Sequence, residues 1–129
     1  MSTPWGNNNV TNFYLQNRNK VSDLYKSEKI LLKKIKKNKI KSVLDFGCAA
    51  AGFKIIFDKI FKKIKYTGVD SDKKMINLTK KKFQKKTKFI FSKIIPKKTP
   101  KHDMVFSTGV IHHIKNYKKI INQMLEKSK

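Results

Sequence analysis

Cysteine is nearly absent from this 129-residue sequence: Cys48 stands alone, which excludes an internal disulfide and any multi-cysteine zinc site. No run of about 18 uninterrupted apolar residues occurs. The start, Met1-Ser2-Thr3-Pro4-Trp5-Gly6, has neither the charged nor the apolar region of a signal peptide, so a cytoplasmic protein with no membrane partner is expected. Acidic residues are scarce as well, 8 against 32 basic ones, giving a formal net charge of +24. Such a charge suggests nucleic acid, because lysines bind phosphate and release counterions. Arginine, however, is missing except for Arg18. Sequence-reading proteins favour its bidentate fork. The lysines are spread over every helical stretch alongside abundant Ile and Asn, as an AT-rich coding bias would produce. Weak, nonspecific polyanion binding is the expected consequence.

A chain of this length makes one domain and buries about two-thirds of its unfolded surface, enough for one modest core. Residues 1–20 are read as an N-terminal arm, with Trp5 as a packing anchor in its polar, turn-rich first part, and residues 21–129 as the domain proper. From Val21 the apolar positions Val21, Leu24, Tyr25, Leu31, Leu32 and Ile35 fall at helical spacing, with Ser22 or Ser27 available as a cap and Asn38 as the stop. Lys41 to Phe46 reads as a strand, and Phe53, Ile56, Phe57, Ile60 and Phe61 as an amphipathic helix directly after it. A second strand runs from Lys65 to Val69 and ends at Asp70. The helix that follows carries Met75, Ile76, Leu78, Thr79 and Phe83 and is capped by Ser71 or Asp72. Phe89 to Phe91 and Met104 to Phe106 supply two more strands, and a last helix spans Asn116 to Glu126. The alternation predicts an α/β fold: a Rossmann-like, mostly parallel open sheet of about four strands with helices on both faces. Ligands of such sheets bind beyond the carboxyl ends of the strands, at the point where the strand order reverses.

The stretch Val43 to Gly52 sits there, an apolar strand followed by Gly47-Cys48-Ala49-Ala50-Ala51-Gly52. Small residues let a backbone approach a ligand, and the following helix start offers free N–H groups. Gly47, Ala49 and Gly52 hold the positions of a dinucleotide-binding G-x-G-x-x-G, and Asp70 lies about 20 residues on, where a ribose-binding acid belongs. A nicotinamide enzyme therefore fits the spacing alone. Two residues oppose it: Ala49 would crowd a pyrophosphate, and Asp45 would face one with a charge of the same sign. A ligand with a ribose for Asp70 and a cation for Asp45 fits better, and S-adenosyl-L-methionine has both.

Three stretches also carry a resemblance. Val-Leu-Asp-Phe-Gly-Cys-Ala-Ala-Ala-Gly at 43–52, Tyr-Thr-Gly-Val-Asp-Ser-Asp at 66–72 and His-Asp-Met-Val-Phe-Ser-Thr-Gly-Val-Ile-His-His-Ile at 102–114 resemble successive motifs of class I S-adenosylmethionine-dependent methyltransferases. The resemblance runs from Lys41 to Lys115. It implies an enzyme that moves a methyl group to an acceptor, here a small molecule. Asp45, Gly47, Cys48, Ala49 and Gly52 would belong to the cofactor turn, with Asp45 near the ammonium group. Asp70 would hold the ribose hydroxyls, Ser71, Asp72, Met75 and Ser92 would border the adenine, and Ser107 and Val110 would border the methyl group. His112 or His113 could act as a general base where the acceptor must lose a proton. Adjacent loop positions are expected to face opposite ways, so that only one of them reaches the site. The competing readings are an RNA methyltransferase, which lacks its Asn/Asp-Pro-Pro-aromatic motif here, a nicotinamide oxidoreductase, and a non-catalytic cofactor-binding module.

The sequence departs from the resemblance in three places. Ala51 stands where a glycine is common. Ser92 and Lys93 replace an acid or amide after the third strand. The sequence stops after the helix that follows the fourth strand, whereas the family sheet has seven strands. The expectation is a fold that is incomplete relative to the family, with the fourth strand as an open edge covered by a missing C-terminal half or a partner, and weak cofactor binding by this polypeptide alone.

Overall fold

The computed structural model describes residues 8–61, 63–83, 87–108 and 110–129. Trp5 and Gly109 lie outside them. Four strands form one parallel sheet, β1 (Ser42–Phe46), β2 (Lys65–Asp70), β3 (Lys88–Phe91) and β4 (Met104–Phe106), in the order β3-β2-β1-β4. β1 is flanked on both sides, pairing Val43 with Tyr66 and with Met104, and Asp45 with Gly68 and with Phe106. Burial on both faces explains why β1 reads as a continuous apolar run rather than an alternating one.

The helices divide between the two faces as the sequence pattern implies. On one face, Leu32 and Ile35 of α2 (Lys26–Lys37), Phe53, Ile56 and Phe57 of α3 (Gly52–Ile60) and Ile76 of α4 (Lys73–Phe83) pack with Val43, Tyr66, Phe89 and Phe106. Phe57 is the hub, edge-on to Phe106 at 6.0 Å and to Tyr66 at 6.3 Å between centroids. On the other face, Ile120 of α5 (Tyr117–Lys127) joins Ile95 over Leu44, Phe46 and Val69. The chain returns from β3 to β4 without a helix, and Ile95 on that loop fills the space beneath the sheet. Because β2 and β3 extend to one side of β1 and β4 lies on the other, the order reverses between β1 and β4.

Two expectations about the N-terminal part are corrected. The segment read as an arm contains α1 (Asn8–Gln16). The helix expected from Val21 begins instead at Lys26, after a short 3-10 turn at Val21–Asp23 and two extended residues, Leu24 and Tyr25. Neither serine caps it. Tyr25 is the cap residue, and its N–H donates to Glu28 Oε1 at 2.8 Å, so a carboxylate three residues inside the helix satisfies the entry. Glu28 is held by Arg18, whose Nη2 donates to both carboxylate oxygens at 2.7 and 2.6 Å, and whose Nη1 donates to the Asp23 carbonyl at 2.8 Å. The only arginine is therefore an internal clamp.

At the other end of the sheet, Asp103 accepts hydrogen bonds from Lys41 N and Ser42 N at 2.8 and 3.1 Å, locking β4 to the start of β1. β4 ends the strand order, so it is an edge among the described residues. The contact beyond it is a parallel bridge between His102 and Ser128, in which His102 N donates to Lys127 O and Lys129 N to His102 O.

Candidate cofactor site

A cavity of about 880 Å³ opens at the carboxyl ends of the strands, where the order reverses. The turn between β1 and α3 forms one wall. Three of its residues are left-handed, Gly47 at φ 81°, Ala49 at φ 48° and Ala51 at φ 59°. For alanine this conformation costs roughly 1 kcal/mol or more. The small residues read from the sequence are thus a response to backbone shape, and two of them still carry strain. We expect Ala49→Gly, at the half-exposed position, to raise stability by up to about 1 kcal/mol in a denaturant melt. Ala51→Gly should gain nothing, because the Ala51 methyl is wholly buried in the core and its loss offsets the relief. Equal gains at both positions would show that the strain argument is wrong.

The two glycines of the turn serve close packing. A methyl on Gly47 would lie 2.4 Å from Val110 Cγ2, so the loop after β4 rests on the turn. One on Gly52 would lie 2.0 Å from the Arg18 carbonyl, so the segment before α2 crosses the start of α3. Cys48 lines the turn, but its sulfur is directed at the space above Gly68 and is buried, which pushes the thiol well up and leaves it unreactive.

Asp70, at the end of β2, ties the site together. Its Oδ2 accepts from Ala49 N at 2.9 Å and its Oδ1 from Asp72 N at 2.8 Å, linking the first turn to the entry of α4. Each oxygen keeps a second lone pair for a ligand hydroxyl. Partial burial raises the pKa of this carboxyl, against the lowering effect of the Asp72 and Ala49 amides. Asp72 caps α4, its Oδ1 accepting from Lys74 N at 3.0 Å and Met75 N at 3.3 Å. Met75 is buried but reaches the lining, beside exposed Ser71 and the half-buried Ser92.

Asp45 is the most unusual group. It is 2% exposed, its Oδ2 accepts from the Tyr66 hydroxyl at 2.5 Å, and its Oδ1 has no hydrogen-bond partner. Burial drives its pKa up to about 7, opposed by the Tyr66 hydrogen bond and assisted by the charges of Asp70 and Glu28. A buried oxygen without a donor, in a residue that lines the cavity, is what a cationic ligand would complete. In a chain of net charge +24 with 8 acidic residues, Asp45, Asp70 and Asp72 all line this one cavity. Arg18, Lys73 and Lys93 line it too, Arg18 already paired with Glu28, so the acids are concentrated here without making the whole wall negative.

The cavity brings together every residue singled out in the sequence except Ser107. Its hydroxyl donates to the Phe46 carbonyl at 2.8 Å, and it lines a neighbouring cavity of about 510 Å³ with Ile111, Tyr117 and Ile121. Val110 and His112 line both cavities. His112 and His113 both line the larger one, contrary to the expected alternation. They sit in a 3-10 turn, Ile111–His113, which does not alternate its side chains as a strand does, and their rings lie 3.9 Å apart between centroids.

Sequence reasoning missed Val10 and Phe13 of α1, Arg18, Tyr25, Phe91 and Thr108 as lining residues. The spacing of Val10 and Phe13 carried the helical signal, hidden in a run rich in Asn.

Residues 13–129 match the family model described as a methyltransferase domain. No curated protein matches the chain significantly. Among solved structures, the plantazolicin methyltransferase BamL, in complex with a triazolic desmethylPZN analog and SAH, is similar at a TM-score of 0.61 and 27% identity, over 70% of this chain and 35% of that one. The plantazolicin methyltransferase BpumL with a pentazolic desmethylPZN analog and SAH is similar at 0.66 and 17% identity, over 95% and 45%. Magnesium protoporphyrin IX methyltransferase from Synechocystis PCC 6803 with bound SAM is similar at 0.62 and 15% identity, over 79% and 52%. The chain thus spans between 35% and 52% of the length of these structures. With a Rossmann-like parallel sheet, a carboxylate-lined cavity at its reversal point and a family match over most of its length, the chain belongs to the methyltransferase-domain family.

Proposed function

We propose that this chain binds S-adenosyl-L-methionine in the larger cavity and serves methyl transfer to a small-molecule acceptor. The observation that carries the reading is the unpartnered, buried Oδ1 of Asp45 in the same cavity as Asp70. Asp45 would hold the cofactor's ammonium group and Asp70 its ribose hydroxyls. Ser71, Met75 and Ser92 would border the adenine, and Gly47, Cys48, Ala49 and Gly52 would give the methionine portion its backbone wall. When bound, the cofactor supplies an electrophilic methyl group on a sulfonium. The chain's own part is to hold the acceptor in line and keep water out. Phe13 and Tyr25 line the cavity from the N-terminal segment, His113 lines it from the loop after β4, and His112 lines both cavities, where Val110 and Ser107 would border the acceptor. Either histidine could take a proton from an acceptor hydroxyl or amine.

Among the described residues no helix is long and apolar enough to cross a membrane. We place the protein in the cytoplasm, a reading supported by its single, buried cysteine. Surface lysine would give weak nonspecific polyanion binding. We also propose that further strands, from a longer chain or a partner, extend the sheet beyond β4. The relatives' greater length and the bridge at Ser128 support this.

Asp70→Asn tests the cofactor reading. It keeps a carbonyl oxygen for one backbone amide but removes the charge and one acceptor. The expected result is a loss of S-adenosylhomocysteine affinity of about tenfold or more by calorimetry, with the fold retained by circular dichroism. Unchanged affinity would overturn the reading.

A further inference from the structure

The Tyr66–Asp45 pair lies one strand position deeper than the turn and has a chemistry that general cofactor binding does not require. Tyr66 is buried, its ring fixed between Phe57 and Phe89 at centroid distances of 6.3 and 6.1 Å. The register pairs Val43 with Tyr66 and Asp45 with Gly68, so Tyr66 is the diagonal neighbour of Asp45, and the glycine opposite leaves room for the contact. Burial keeps the Tyr66 phenol well above its ordinary range, so it remains a donor. Its hydrogen bond occupies Oδ2 and leaves Oδ1 buried and without a partner, in a residue that lines the cavity.

The charged and titratable groups acting on Asp45 from the elements around it are Tyr66 and Asp70 of β2, Cys48 of the turn, and Glu28 of α2. Glu28 is itself neutralised by Arg18, and among the described residues no cation pairs with Asp45. In the empty cavity the surroundings therefore favour the protonated acid, with its proton on the partnerless Oδ1.

We propose that Tyr66 is a positioning residue that orients Asp45 and sets its protonation, so that cofactor loading is coupled to release of one proton from Asp45. This rests on the function proposed above. The step balances: the carboxylic acid and the ligand's ammonium group become a carboxylate–ammonium pair, and the proton of Oδ1 passes to solvent. The methyl group takes no part, so S-adenosylhomocysteine, which carries the same ammonium group, should show the coupling in full. The consequence is a cofactor site that fills more readily as pH rises through neutrality.

The test is calorimetric titration of the chain with S-adenosylhomocysteine at pH 6, 7 and 8, each in two buffers of different ionisation enthalpy. With Asp45 titrating near 7 in the empty protein, binding should release about one proton at pH 6 and almost none at pH 8, and affinity should rise about tenfold between them. Tyr66→Phe keeps the ring packing and removes the bond that favours the carboxylate, so the pH midpoint of binding should move upward. Asp45→Asn should bind more weakly, with neither proton release nor pH dependence. Binding that is independent of pH and buffer would overturn the coupling while leaving the cofactor reading intact, as would persistence of the pH dependence in Asp45→Asn. A uniform affinity loss at every pH in Tyr66→Phe would overturn the role of Tyr66. No binding at any pH would overturn the cofactor reading and this inference with it.

Discussion

Glu28→Ala is expected to lower stability by about 3 kcal/mol in denaturant melts at neutral pH, because removing one member of a buried ion pair leaves the other without compensation. Glu28 is 4% exposed and accepts three hydrogen bonds, two from Arg18 and one from Tyr25 N. The alanine variant loses the cap of α2 and the anchor of the 17–25 segment together. Arg18 stacks on Tyr25 at 4.5 Å, and its carbonyl lies against Gly52, so the same clamp holds the N-terminal segment over the start of α3. That segment brings Arg18 and Tyr25 to the cavity wall. A second expected result follows: protease should cut near Lys20 in the variant sooner than in the parent. Glu28→Gln keeps acceptor capacity and should lose less. A stability loss below about 1 kcal/mol in Glu28→Ala would mean that the pair is only a surface contact.

The clamp also shows what the sequence could not reveal. Arg18 and Glu28 are ten residues apart in sequence, and their pairing depends on a left-handed turn at Arg18 (φ 62°) that no local pattern announced. The helix start was misplaced for the same reason. Ser22 and Ser27 looked like caps by residue type, whereas the entry is satisfied by a carboxylate held from outside the helix. The strands were legible because β1 and β2 are buried on both faces and so read as short apolar runs between turn signals. Their parallel arrangement followed from the alternation of strands with helices, since parallel neighbours need crossover connections, whereas the order β3-β2-β1-β4 was not legible in that alternation.

The cofactor half of the candidate site was legible because backbone shape imposes it. A strand that must turn sharply into a helix selects small residues at Gly47, Ala49 and Ala51, all left-handed. An acid at the end of the next strand necessarily comes beside that turn, as Asp70 does through Ala49 N. What stayed hidden depended on register and on distant segments. The contact of Tyr66 with Asp45 exists only because Asp45 pairs with Gly68, and the wall formed by α1 required docking of a segment whose own sequence is dominated by polar residues. Ser107 lines the neighbouring cavity instead of the larger one, a placement the sequence did not reveal because a loop hydroxyl after a strand can turn either to a ligand or to a neighbouring carbonyl. Here it bonds to Phe46 O.

Asp45→Asn is expected to make the ligand-free protein more stable, by an amount that depends on pH in a defined direction. A carboxyl whose pKa is raised in the folded state contributes its full stability below its unfolded value and loses it as pH rises towards the folded one. For Asp45 the window runs from 3.8 to about 7. Asn reproduces the shape and charge of the protonated acid, and its amide oxygen can still accept from Tyr66. The difference between variant and parent should therefore be small below pH 4, grow through the window, and level off above neutrality on the order of 4 kcal/mol in favour of the variant. Asp70 is raised in the same sense and is present in both proteins, so its own burial cost cancels, while its repulsion of an ionised Asp45 is part of the difference. Paired urea melts at pH 4, 6 and 8 measure the effect. A difference that stays flat over this range would show that Asp45 is already ionised at low pH and that the cost of its burial is met elsewhere. A stabilised variant that has also lost affinity for S-adenosylhomocysteine would mark Asp45 as a residue kept at the expense of the fold, which is the signature of a binding group rather than a structural one.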